Sequence, residues 1–188
     1  MRLFIAIEFS NARKRELADW MATLSRELSD PEHRLRWVKE NQLHLTLRFI
    51  GETPEDQLVR YRQALQQVAK DHVRFILGLS GVGHFGGRVV WVGVSHGMES
   101  LSALAKTIAD ATGTIAATQQ KRRFSPHVTL ARSKVNPRTI RMSDLTLQIA
   151  QKVFLDIPVN NFSLIQSKLT PSGAIYETLE RFPLISSA

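Results

Sequence analysis

The sequence predicts an α+β domain made of two similar halves, and three observations carry that prediction. Segments with strand-like alternation are interleaved with two or three amphipathic helices. Each half holds one copy of a four-residue pattern, His44-Leu45-Thr46-Leu47 and His127-Val128-Thr129-Leu130. No Gly-, Ser- or Pro-rich linker separates the halves, so residues 1–188 are read as one domain with a continuous core.

Met1 to Glu8 reads as a buried first strand, too short and too soon acidic for a signal peptide. Leu17, Trp20, Met21, Leu24 and Leu28 then recur at helical spacing, with Ser10 or Asn11 as N-cap and Trp20 in the core-facing stripe. Trp37 falls in a short strand ahead of the first motif, and Gly51 ends the motif strand. Thr53-Pro54-Glu55-Asp56 opens a second helix, which Leu58, Tyr61, Leu65 and Val68 continue on one face. Residues 75–82 and 88–94 form a strand pair around Gly81, Gly83, Gly86 and Gly87, which lack phosphate-loop spacing and read as a turn. Met98, Leu101, Leu104, Ala105, Ile108 and Ala109 mark a third helix. After the second motif come a weaker segment over residues 137–150 and three strand-like stretches, 153–157, 161–169 and 174–184.

The formal charge of +8 and a pI near 10.3 point to a polyanionic partner. With no cysteine, disulfides, thiolate metal sites and cysteine nucleophiles are excluded together, which accords with a cytoplasmic protein. No apolar run approaches the roughly 20 residues of a membrane span, so no membrane partner is expected.

Two copies of His-x-Thr-apolar should arise by chance in roughly 0.2% of shuffled sequences, so it is the repetition that carries the functional argument. Both copies read as strands, and period two puts His44 with Thr46, and His127 with Thr129, on one face. Two such histidines can divide acid and base work, and the hydroxyls can donate to non-bridging phosphate oxygens. That set suits in-line displacement at phosphorus.

Zinc needs about three protein ligands, and neither motif has an acidic neighbour or a second histidine nearby, so neither metal nor cofactor is expected. Gly-x-Ser-x-Gly is absent. His33, His72, His84 and His96 are assigned to the surface. Lys121, Arg122, Arg123 and Arg132 put positive charge around His127. Arg132 could hold phosphate bidentately, but strict alternation puts it on the face opposite His127, so its use requires a bend by Ala131. Phe124 reads either as a base-stacking platform or as a core phenylalanine. Arg48 is a candidate only because it alternates with His44 and Thr46.

These residues resemble the 2H phosphoesterases, and within them the bacterial and archaeal RNA 2',3'-cyclic phosphodiesterases, also called 2'-5' RNA ligases. The resemblance runs through Arg2 to Ile7, Leu43 to Leu47, Phe49 to Glu52, Arg88 to Gly93, Phe124 to Arg132 and Gly173 to Tyr176. It implies a bilobal fold in which two antiparallel sheets line a central cleft, with helices outside and approximate twofold symmetry. It also implies metal-free hydrolysis of a terminal 2',3'-cyclic phosphate to a 2'-phosphate and, for some members, reversible 2'-5' ligation of tRNA halves. By position, His44 and His127 become the acid/base pair, Thr46 and Thr129 hold the phosphate, and Arg132 contacts substrate.

His44 is assigned as proton donor and His127 as proton acceptor, on RNA bearing cyclic-phosphate ends and in a monomer. Two alternatives stay open: a non-catalytic RNA-end binding module, and a phosphodiesterase for a small nucleotide cyclic phosphate or another 2'-5' linkage.

Overall fold

In a computed structural model, residues 1–27, 35–86, 88–115, 124–133, 155–171 and 173–186 are described. The predicted features at Leu28, His33, Gly87, Lys121, Arg122, Arg123 and residues 137–150 lie outside them.

The described elements are β1 (Arg2–Glu8), α1 (Asn11–Glu27), β2 (Leu35–Trp37), β3 (His44–Glu52), α2 (Leu58–Lys70), β4 (Phe75–Phe85), β5 (Val89–His96), α3 (Met98–Gly113), β6 (Val128–Ser133), β7 (Leu155–Val159), β8 (Asn161–Thr170) and β9 (Gly173–Pro183). Ser10 caps α1, its Oγ accepting the Arg13 N–H at 3.3 Å. Thr53 does not cap α2: it is buried and donates to the Gly51 carbonyl at 3.2 Å, and a 3-10 turn over Glu55–Gln57 leads into the helix. Gly51, at φ 91°, bends β3 without ending it.

The two antiparallel sheets that the resemblance implies are joined at the motif strands into one curled sheet in the order β7-β4-β5-β6-β3-β1-β8-β9, with β2 added on β6. All pairings between these strands are antiparallel. The two motif strands lie side by side at its centre, joined by one register pair, Leu45 with Val128, which are the middle residues of the two His-x-Thr motifs. The strand order divides there into two four-strand halves, which is the bilobal arrangement expected.

One face of this sheet is the main core. Leu3, Ile5 and Ile7 of β1, Leu45 and Leu47 of β3, and Val128 and Leu130 of β6 are at most 5% exposed and pack with the apolar stripes of all three helices. Burial of each such side chain contributes about 1.5 to 3 kcal/mol, so the alternate residues of the same strands are fixed on the opposite face. On that face Phe4, Ala6 and Ile165 form a small cluster of their own, and the two His-x-Thr pairs sit there.

Gly81 and Gly83 are strand residues, not part of the turn: β4 runs on to Phe85, and the chain reverses at Gly86, φ 53°. At Gly83 the reason is packing, since a Cβ there would lie 2.2 Å from the ring of Trp91. Among the described residues no helix is long and apolar enough to cross a membrane.

Candidate active site

Each histidine is held the same way. The Nδ1–H of His44 donates to the Gln42 carbonyl at 2.7 Å, and that of His127 donates to the Ser125 carbonyl at 2.7 Å. A carbonyl only accepts, so in the neutral rings both Nε2 atoms carry the free lone pair. Nε2 of His44 accepts from the Thr46 hydroxyl at 3.1 Å, as the same-face alternation predicts.

Aromatic rings fix both imidazoles. Phe4 lies 5.0 Å from His44 between ring centres, and Tyr176 meets it edge-on at 5.3 Å. Phe85 meets His127 edge-on at 4.8 Å, with Trp91 at 6.5 Å. Such contacts restrict ring rotation and exclude water. Enclosure of the His44 ring is the main reason that its pKa is lowered to about 4, and the charges of Lys14 and Arg132 act in the same direction. The Gln42 carbonyl and Glu8 act against them.

Arg132 is turned to the face of Thr129 because the strand departs from strict alternation. Trp91 pairs with Thr129 and Val90 with Ala131, so Leu130 is the extra residue of a β-bulge. Leu130 and Ala131 are both buried and Arg132 is exposed on the side of Thr129, supplying the bend that its use requires.

Arg48 is carried the other way, a correction to the expectation from its alternation. Ala6 pairs with Thr46 and Ile5 with Arg48, so a bulge at Leu47 turns Arg48 to the helix side. There its Nη1 donates to the Ala109 carbonyl near the end of α3 at 2.9 Å, a structural role. The bulge also puts Phe49, 50% exposed, on the face of Thr46. Phe124 is half-buried against the main core, so of its two readings the structure favours the core phenylalanine. His96 pairs with Asp156 at 3.1 Å, and His84 is exposed.

The sequence reading missed the aromatic rings at Phe4, Tyr176, Phe85 and Trp91. Period two along β1 would have placed Phe4 with Glu8 on one face, but only the pairing of β1 with β3 reveals that this face is the one with His44. Among the described residues no three potential ligands converge to hold a metal ion.

A family model described as the 2'-5' RNA ligase superfamily matches residues 14–170. A protein of Aquifex aeolicus named RNA 2',3'-cyclic phosphodiesterase is 34% identical over 156 residues, covering 79% of this chain and 81% of its own. One of the same name from Archaeoglobus fulgidus is 32% identical over 187 residues, covering 97% and 99%. Among solved structures, TT0787 of Thermus thermophilus superposes with a TM-score of 0.80 at 29% identity, covering 98% of both chains. E. coli LigT complexed with 3'-AMP gives a TM-score of 0.76 at 27% identity, covering 97% of both chains.

Proposed function

Since this chain belongs to the 2'-5' RNA ligase superfamily, we propose that it is an RNA 2',3'-cyclic phosphodiesterase that opens the terminal ring to a 2'-phosphate by two-histidine acid/base catalysis. The observation that carries this reading is the matched presentation of His44 and His127, each with Nδ1–H on a backbone carbonyl, from strands that pair between the two motifs.

Water attacks phosphorus opposite the 3'-oxygen. Nε2 of His127 takes the water proton as the new P–O bond forms, and His44, protonated in the substrate complex, gives its Nε2 proton to the 3'-oxygen as that P–O bond breaks. The hydroxyls of Thr46 and Thr129 donate to the non-bridging oxygens, and Arg132 pairs with the phosphate charge. An RNA 5'-hydroxyl in place of water would leave a 2'-5' linkage by the same displacement, so ligation of RNA ends such as tRNA halves needs no further group.

In the free protein His44 is neutral at pH 7, and the bound phosphate anion supplies part of the field that charges it. The net charge of +8 favours RNA over a free nucleotide. No step calls for a metal or cofactor, and a cytoplasmic monomer suffices.

The test is to incubate chelator-treated protein with an oligonucleotide ending in a 2',3'-cyclic phosphate and to identify the new end group. A 2'-phosphate formed at full rate in excess EDTA is expected. A 3'-phosphate would reverse the leaving-group assignment, loss of turnover restored by zinc or manganese would overturn the metal-free mechanism, and tight binding without turnover would leave an RNA-end binding module.

A further inference from the structure

One charged side chain on the floor of the cleft has no part in the mechanism above. Glu8 is the last residue of β1 and pairs directly with His44 across β1 and β3, so the two side chains stand on the same face as neighbours. The carboxylate is anchored on three sides. Oε2 accepts from the hydroxyl of Ser163, a fully buried serine, at 2.6 Å and lies 3.3 Å from Nε of Arg181; Oε1 accepts from the Thr178 hydroxyl at 3.0 Å. Glu8 and His44 both line one hollow, together with Lys14, Gln42, Tyr176 and Thr178.

Burial would raise the carboxyl's pKa, but the Ser163 and Thr178 hydroxyls, with Arg181 and Lys14, outweigh it and hold Glu8 below its ordinary value. It therefore stays ionised wherever histidine titrates. Besides Arg181 and Lys14, the group this fixed anion faces is His44, its partner across β1 and β3.

We propose that Glu8 is a positioning residue for the reaction, a fixed carboxylate beside His44 that favours the imidazolium form in which His44 delivers its proton to the leaving oxygen. This rests on the two-histidine reading of the site. The other charged or titratable groups facing His44 are Lys14 from α1, Arg132 from β6 and Tyr176 from β9, with Arg181 reaching it only through Glu8. Lys14 and Arg132 oppose the charged imidazole, so Glu8 is the one acidic side chain among these.

The neighbours of Glu8 and His44 allow a test of opposite signs. Glu8→Gln keeps the shape and a hydrogen-bonding end for Ser163 and Thr178 but removes the charge, and Lys14→Gln removes an opposing charge. In pH profiles of turnover at saturating cyclic-phosphate oligonucleotide, the high-pH limb reports the group that must be protonated. That limb should move down by about 0.5 to 1 pH unit in Glu8→Gln and up in Lys14→Gln, a loss of about 3- to 10-fold in turnover on the alkaline side for the former.

Without substrate, the His44 ring proton followed by NMR should titrate at lower pH in Glu8→Gln and at higher pH in Lys14→Gln. A Glu8 that only ties β1 to β8 and β9 would leave both limbs and the His44 titration in place, and that result overturns the proposal. A shift of the low-pH limb instead overturns it too, because His44 would then be the base. If Glu8→Gln does not fold, Glu8→Thr, a neutral β-branched residue suited to a strand, takes its place: the same downward shifts are expected, and unmoved limbs overturn the proposal. If the wild-type protein opened no cyclic phosphate, the proposed reaction would fall, while an unmoved His44 titration would separately show that Glu8 does not act on that ring.

Discussion

Leu47 and Leu130 hold the same place, the fourth, in the two motifs, and each is the residue skipped in its strand's register: Leu47 between Thr46 and Arg48 opposite β1, Leu130 between Thr129 and Ala131 opposite β5. Both are buried, so each bulge keeps two consecutive positions off the cleft face and then restarts the alternation with the opposite phase. The fifth position of each motif, Arg48 or Ala131, turns to the helix side. The sixth, Phe49 or Arg132, returns to the cleft side. The internal symmetry thus extends past the motifs into a shared backbone irregularity.

Arg48 and Arg132 should accordingly fail in different ways. Arg48→Met removes the contact with the Ala109 carbonyl near the end of α3 and should cost about 1 to 2 kcal/mol of stability, with turnover nearly unchanged. Arg132→Met should leave the denaturation midpoint unchanged and weaken binding of a cyclic-phosphate oligonucleotide about 10-fold or more. Urea titration and steady-state kinetics on both variants separate the two, and the reverse pattern would contradict the bulge geometry.

His44→Ala and His127→Ala should each lower turnover by at least about 10²-fold while the fold is retained. The double variant should be little worse than either single one, because both protons move in one displacement. A single variant keeping more than a tenth of wild-type turnover would remove that histidine from the pair.

The pairing of function with sequence was legible wherever period two holds. His44 with Thr46, the core positions Leu45 and Val128, and the helix stripes apart from Met98, which is 41% exposed, follow from spacing alone. What spacing cannot supply is an irregularity set by a partner strand: Arg48 looked cleft-facing and Arg132 core-facing because nothing within either strand marks the bulge. The environment of His44 was hidden for a related reason. Phe4 and Glu8 lie on β1 and Tyr176 far along the chain from them on β9, and only the strand order β3-β1-β8-β9 gathers all three around one ring. Thr53 shows the limit of capping rules: the Thr-Pro-Glu-Asp pattern was right for a helix start, but the threonine hydroxyl turns back to Gly51.

Thr46→Val and Thr129→Val should each cost about 1.5 to 3 kcal/mol of transition-state stabilisation, the range for a hydrogen bond to a charged oxygen. Valine keeps the β-branch, so stability should change little. The two should differ in one respect. Thr46 also donates to Nε2 of His44, so its loss removes a bond that favours the neutral ring and should move the His44 titration to higher pH; Thr129→Val should not. Equal titrations in the two variants would show that the Thr46 contact is not kept in solution.

The lowered pKa of His44 makes stability depend on acidity in a defined window. Folded, the ring titrates at about 4, whereas in the unfolded chain it returns to the ordinary histidine value near 6.5. Between these values the unfolded chain binds the proton and the folded protein does not, so acidification favours unfolding. The loss should begin as pH falls through about 6.5 and level off below about 4, reaching roughly 1 to 3 kcal/mol. Urea denaturation at pH 7 and pH 4.5 should show this, and the difference should shrink in His44→Gln, which does not titrate. Phosphate bound in the cleft places an anion beside the ring and should raise its titration, so the wild-type protein should lose less stability on acidification in phosphate than in a non-binding buffer of equal ionic strength. Equal losses in wild type and His44→Gln would mean that other groups govern the acid response and that the His44 ring is as accessible to protons folded as unfolded.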